Sequence, residues 1–271
     1  NFQNRMITVL GASGFIGSHL VQKLSEQKIH FYAPNRNTIL KNKDLGDIIY
    51  CIGLTSDFRT KPSETVEAHV CFLNKVLKDF KFKTLTYLSS TRVYVNSKKK
   101  KVDENTLLNI SINESEDLYN LTKLTGERLC LSSGRITKIA RLSNVYGNDF
   151  DSNNFIFNLL NEIKTNGSFE LLSSLNSAKD YISIESVTDL LIKIAKTEYS
   201  DIYNVANGQN ISNHELLLIF EKYFNFEFSV SENSRTIIHP KININKIKKQ
   251  FDFISENTKV NLHNLIKNHI K

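Results

Sequence analysis

Ile7-Thr8-Val9-Leu10-Gly11-Ala12-Ser13-Gly14-Phe15-Ile16-Gly17 is the stretch that decides the fold. Its first four residues read as a short apolar strand. Past the glycines, Ile16, Leu20, Val21 and Leu24 recur at helical spacing, which predicts a helix over Phe15–Gln27. The three glycines have separate uses. One lets the turn adopt a backbone conformation that side chains forbid. One lets the main chain approach a pyrophosphate, and one lets the helix close on the strand. The helix N-terminus then presents free N–H groups and a partial positive charge. Strand, glycine turn and helix together predict a nicotinamide-dinucleotide site, with Gly11, Ser13, Gly14, Phe15, Ile16 and Gly17 around the phosphates.

Working outward, strands alternate with helices. Ile29–Ala33 reads as a second strand, stopped by Pro34, and Asp47–Ile52 as a third. Ser63–Asp79 has helical spacing in Val66, Val70, Leu73 and Leu77, and Thr84–Ser89 is a strand again. Glu116–Leu131 is a helix with Ser115 as its N-cap, followed by a strand over Ile136–Leu142. This alternation predicts an α/β, doubly wound, mostly parallel Rossmann-type sheet. From Phe150 the rhythm loosens; Asn154–Lys164, Val187–Lys196, Asn213–Phe224 and Leu262–Ile270 have helical character. The expected division is a dinucleotide-binding domain over 1–148, with returning segments near 178–206, and a smaller substrate-binding lobe over 149–271.

Composition narrows the class. The chain has 271 residues, 40% of them hydrophobic, so it can bury a substantial core. No apolar run reaches the roughly 18 residues of a membrane span, and Asn1 to Arg5 lack an apolar stretch of signal-peptide length, so a soluble, cytoplasmic protein without membrane contact is expected. The net charge of +7 includes the run Lys98–Lys101, read as a solvated loop and not as a nucleic-acid surface, because no aromatic-interleaved basic module accompanies it. Cys51, Cys71 and Cys130 stand far apart, which predicts free thiols, and no histidine spacing suggests a metal.

Two Tyr-x-x-x-Lys matches occur, Tyr94/Lys98 and Tyr119/Lys123. Tyr119 and Lys123 fall within one predicted helix, so they share a face. An ammonium one turn away should lower the tyrosine pKa from its ordinary value near 10 and suit it to acid/base work.

Other motifs stand in order behind these. Gly11 to Leu20 reads GASGFIGSHL, and Ser89-Ser90-Thr91-Arg92-Val93-Tyr94 reads SSxxVY. Arg141 to Gly147 reads RxxNVYG, and Lys179 to Val187 approximates RDYIHVDDV. Tyr203 to Gly208 with Ser212 approximates YNVGxGxxxS, and Arg235 precedes a lysine-rich segment. Over nearly its whole length the chain resembles the extended short-chain dehydrogenase/reductases, the nucleotide-sugar epimerases, dehydratases and reductases. The resemblance implies catalytic roles for Ser90, Tyr119 and Lys123, with Tyr119 moving a hydroxyl proton and Lys123 also holding the nicotinamide ribose. It implies that Gly53 and Leu54 pack against the cofactor and that Thr91, Asn144, Asn154, Phe155 and Arg235 face the substrate. It also implies a homodimer paired through the helices of 63–79 and 116–131.

Four departures qualify it. No acid follows the second strand; Arg36 stands there and could pair with a 2′-phosphate, which tilts the expected cofactor from NAD to NADP. Only about a dozen residues separate that strand from Asp47, so a helix and strand usual in the family are missing. His69 replaces a usual asparagine and is read as a plain helix residue. Thr91-Arg92 replaces the Asp-Glu pair of sugar dehydratases, which argues against elimination of water. The leading expectation is an NAD(P)-dependent ketoreductase acting on a nucleotide-linked sugar. The alternatives are an NAD-dependent epimerase and, in another class, a non-catalytic dinucleotide sensor.

Overall fold

A computed structural model describes residues 5–40, 42–55, 57–114, 116–147 and 155–270. In chain order these form β1 (Ile7–Leu10), α1 (Phe15–Glu26), β2 (Phe31–Tyr32), β3 (Asp47–Tyr50), α2 (Pro62–Val66), α3 (Phe72–Asp79), β4 (Thr84–Ser90), β5 (Lys101–Val102), α4 (Asp117–Ser132), β6 (Ile136–Leu142) and β7 (Asn144–Tyr146). The second half adds α5 (Phe155–Asn166), β8 (Ser168–Ser173), β9 (Ala178–Ser183), α6 (Ile184–Ala195), β10 (Asp201–Val205), β11 (Asn210–Ser212), α7 (Asn213–Phe220), β12 (Glu227–Arg235), β13 (Lys241–Ile242), α8 (Asn245–Phe251) and α9 (Thr258–Ile270).

The central sheet has six strands in the order β10-β6-β4-β3-β1-β2, all parallel. The fold is thus the expected α/β, Rossmann-like one. Its strands are buried on both faces, which is why β1 and β3 read as apolar runs without alternation. Successive residues still serve opposite faces. Ile7, Val9, Ile49 and Leu88 pack with Leu20 and Leu24 of α1 and with Val187, Leu191 and Ile194 of α6. Ile48, Tyr50, Leu85 and Tyr87 pack with Leu73, Val76 and Leu77 of α3 and Cys130 of α4. A separate core joins α5, α7 and α9 around Phe157, Leu160, Leu217, Phe220 and Leu262.

The chain leaves β1 for β2 on one side and reaches β3 on the other, so the switch point lies between β1 and β3. Ligands of open α/β sheets bind beyond the carboxyl ends of the strands at such a point. Three local expectations need correction. The second strand is only Phe31–Tyr32, because Pro34 has no N–H to extend the ladder. The helix expected over Ser63–Asp79 is interrupted by a π-helical turn at Glu67–Cys71. The helix expected at Val187 starts at Ile184, where the Ser183 hydroxyl accepts the Ser186 N–H. The Ser115 cap lies outside the described residues. Among the described residues of 33–46 there is neither helix nor strand, and β2 is the last strand on that side of the sheet among the described residues.

Candidate active site

The glycine turn sits at the carboxyl end of β1. Gly11 has φ +88°, and a Cβ there would stand 3.0 Å from the main chain at Cys51 and Ile52. A Cβ on Gly17 would stand 2.2 Å from the Gly11 carbonyl oxygen, so only glycine lets α1 close on the turn. Gly14 differs. Its φ is −79°, and a Cβ would meet only the Gly11 oxygen, at 3.5 Å. The protein's own packing does not require a glycine there; the bare backbone leaves open a cradle of the kind a pyrophosphate needs. No side chain caps α1 and no acid stands in its first turn, so its N–H end is available to an anion. Ser13 and Gly14 are exposed at the rim, while Phe15 and Ile16 are half-buried.

Along the same carboxyl edge of the parallel sheet, two strands from the cradle, β4 and α4 bring together Ser90, Tyr119 and Lys123. Ser90 ends β4, and its hydroxyl accepts the Arg92 N–H at 3.1 Å. Tyr119 is 6% exposed, and Lys123 is buried with its Nζ donating to the Leu88 carbonyl at 2.9 Å. Burial raises the Tyr119 pKa above its ordinary value, while a hydrogen bond with Ser90 and the charge of Arg92 pull it down. The expected lowering by Lys123 is therefore corrected. Its ammonium is 5.7 Å from the phenol ring centroid and committed to Leu88, and desolvation of the phenolate dominates. Lys123 itself is brought down to about 7 by burial, against an upward pull from Glu127.

Behind the trio runs a buried polar wall. Glu127, one turn beyond Lys123, accepts from Arg141 at 2.9 and 2.6 Å and from the Ser89 hydroxyl at 2.5 Å. Ser89 and Arg141 are paired across β4 and β6. Arg141 also reaches the Tyr94 hydroxyl at 2.7 Å, which in turn donates to Asn204 at 2.8 Å. Tyr94 is therefore locked in the core while Lys98 is exposed, which separates the second Tyr-x-x-x-Lys match from any site.

His69 is fully buried in the π turn and corrects the expectation of a plain helix residue. Its Nε2 accepts the Leu54 N–H at 3.2 Å, so Nδ1 carries the proton and donates to Thr122 Oγ1 at 2.9 Å. Thr122 donates to the Tyr119 carbonyl at 2.9 Å. Burial and the nearby Lys123 charge hold the imidazole neutral, with its pKa down at about 3. A Cβ on Gly53 would stand 3.1 Å from His69 Nε2 and 3.3 Å from Lys123 Nζ. The Gly53–Leu54 backbone is thus held against His69 and Lys123.

The remaining candidates scatter. Thr91 is buried beside Ser90. Asn144 donates to the Asp180 carbonyl at 2.8 Å and so ties β7 to β9. Phe155 lies under the Lys179 ammonium at 4.3 Å. Arg235 ends β12 exposed, its carbonyl accepting from Ser174 and Ser177. Arg36 is exposed on the turn of residues 35–38. Asn154 lies outside the described residues. Two cations escaped the sequence reading: Arg92, whose guanidinium is 5.6 Å from the Tyr119 ring centroid, and Lys179, brought down to about 8 by burial and by Arg92. Arg92 had a visible signal, since it stands where dehydratases carry an acid. Among the described residues no helix is long and apolar enough to cross a membrane.

The chain matches the model of the NAD dependent epimerase/dehydratase family over residues 7–206 and belongs to that family. No curated protein matches it. A UDP-N-acetylglucosamine 4-epimerase from Methanobrevibacter ruminantium M1, solved with UDP-N-acetylmuramic acid, is 18% identical, with TM-score 0.81 and 99% of each chain covered. MoeE5, solved with UDP-glucose and NAD, is 18% identical with TM-score 0.79, covering 98% of this chain and 99% of its own. RMD from Pseudomonas aeruginosa, solved with NADPH, is 17% identical with TM-score 0.78, covering 97% and 98%. At these identities the likeness is one of fold.

Proposed function

We propose that the protein is an NAD(P)-dependent ketoreductase acting on a nucleotide-linked sugar. The observation that carries this is that Ser90, Tyr119 and Lys123 stand at the same carboxyl edge of the sheet as a glycine cradle that the protein's own packing leaves open at Gly14. The cradle, the α1 N-terminus and the Gly53–Leu54 loop fit a dinucleotide; Lys123 would meet its ribose. When bound, that cofactor supplies the hydride. Ser90 orients the sugar oxygen and Tyr119 gives it a proton. Burial raises the Tyr119 pKa, so its phenol stands in the protonated form that a proton donor needs. The segment from 149 onward, with Thr91, Asn144, Asn154, Phe155 and Arg235, is assigned to the substrate. Arg36, exposed past β2 where no acid stands, favours NADP over NAD.

An epimerase is the second reading, favoured by the named activity of the 4-epimerase relative. We assign a homodimer to the outer face of α4, where Leu121 and Leu131 are 37% and 38% exposed, together with Val66 of α2 at 36%. Sedimentation at micromolar protein checks it, a monomer counting against it.

The test is purified protein with candidate keto-sugar nucleotides and NADPH, followed at 340 nm. Absorbance should fall with one of them, and Tyr119→Phe should abolish turnover while sparing cofactor binding. Sugar conversion with no net cofactor change establishes the epimerase instead. Cofactor binding without turnover of any candidate leaves a dinucleotide sensor.

A further inference from the structure

On the function proposed above, Ser90 and Tyr119 meet the oxygen at the reacting carbon of the sugar. The surroundings of that point are cationic. Arg92 follows Ser90 on one tight turn, Thr91–Tyr94, and its guanidinium lies 5.1 Å from the Phe58 ring centroid and 5.6 Å from that of Tyr119. Its Nη2 is on Glu116, and among the described residues nothing accepts a hydrogen bond from its Nε or Nη1. Glu116 is shared with Arg59, so one carboxylate serves two guanidinium groups.

Lys179 and His239 approach from the other half of the chain. Lys179 is the second residue of β9, with Nζ 4.3 Å over Phe155 and 5.6 Å over Tyr181, and it has no carboxylate partner among the described residues. His239 is held beside Lys179 by its N–H donating to the Ala178 carbonyl at 3.0 Å; burial first, and the charge of Arg92 after it, opposes protonation of both side chains. Arg92 and Lys179, from two segments, are the cations here; His239, brought down to about 4, is neutral, and among the described residues the carboxylate bound to Arg92 is Glu116, already shared with Arg59.

We infer that the sugar transformed at this site carries a carboxylate, as a uronic acid does, and that Arg92 selects it. The planar fork of a guanidinium matches a carboxylate through two parallel hydrogen bonds. Because Arg92 shares its turn with Ser90, its free edge stands beside the reacting carbon and not at the diphosphate across the ring. A neutral sugar there would desolvate the guanidinium without giving it an acceptor, which penalises the wrong substrate. An acid at position 92 would repel a sugar carboxylate; arginine reverses that sign.

Calorimetric titration of the dinucleotide-loaded protein with UDP, UDP-glucose and UDP-glucuronate, and with the corresponding thymidine compounds, tests this. The glucuronate conjugate should bind at least about tenfold tighter than the glucose conjugate. Arg92→Met should erase that ratio and leave bare nucleoside diphosphate within about twofold, and Arg92→Lys should restore part of the ratio. Equal binding of the two conjugates by the unaltered protein overturns the inference and leaves the nucleotide-sugar function standing. A loss of bare diphosphate binding in Arg92→Met as large as the loss of glucuronate binding also overturns it, making Arg92 a diphosphate ligand. Binding of none of these compounds removes the nucleotide-sugar function itself. The unaltered protein's ratio decides the matter even where a variant fails to fold.

Discussion

Replacing Glu127 by glutamine breaks the buried ion pair behind the Tyr119 helix. The Arg141 and Glu127 side chains are 4% and 5% exposed, so Arg141 would keep its charge with no carboxylate near it. Removing one partner of a buried pair costs about 3–5 kcal/mol. Glutamine keeps an oxygen for Arg141 and the same shape, which places the change at the lower end, about 3 kcal/mol. At about 2–4 °C per kcal/mol for a chain this long, Tm should fall by about 6–12 °C. A second effect falls on Lys123. Burial brings Lys123 to about 7, and Glu127 is the strongest influence holding it up. Lysine is charged below its pKa and neutral above it, so losing Glu127 lets Lys123 discharge at lower pH. The alkaline limb of kcat/KM, which reports groups of the free enzyme, should then move down. Thermal melting and a pH–rate profile read the two effects separately. A Tm change under about 2 °C together with an unmoved alkaline limb would refute the assigned role of this pair.

Further expectations concern the cradle and its supports. Gly14→Ala should leave Tm nearly unchanged yet weaken dinucleotide binding more than tenfold, about 1.4 kcal/mol, because its Cβ meets almost nothing in the protein. Gly17→Ala should instead lower stability by about 1–3 kcal/mol, since its Cβ would strike the Gly11 carbonyl; melting and titration with NADPH distinguish the two. His69→Ala leaves the Leu54 N–H without its acceptor, a loss of about 1–3 kcal/mol, and should raise the cofactor Kd, with His69→Asn recovering part of it. Arg36→Ser should raise the KM for NADPH about tenfold or more and leave that for NADH unchanged; equal effects on both would remove the NADP preference.

What could be read from the chain beforehand was what local spacing encodes. Three glycines between an apolar run and an amphipathic helix announced the cradle, and a four-residue step put Tyr119 and Lys123 on one face. Long-range partners were not encoded in that way. His69 acquires its importance from Leu54, fifteen residues earlier, and from Thr122 on another helix. Glu127 acquires its importance from strands β4 and β6. The direction of the Tyr119 shift was misjudged for the same reason: spacing located the lysine, but the depth of burial and the Leu88 carbonyl that holds it belong to the assembled sheet.

The π turn at Glu67–Cys71 has an evolutionary consequence. Such a turn amounts to one residue inserted into an otherwise regular helix, and such insertions gather at functional places. Ala68 and Leu73, both buried, are five residues apart, a step an unbroken α-helix would not place on one stripe. A single-residue deletion within 67–71 would let Leu73, Val76 and Leu77 keep their seat on the sheet while His69 lost its aim at Leu54. The helix can therefore gain or lose its part in the site by one codon without redesigning the core. A chain of this family lacking that residue should fold at least as well as this one and grip its cofactor less.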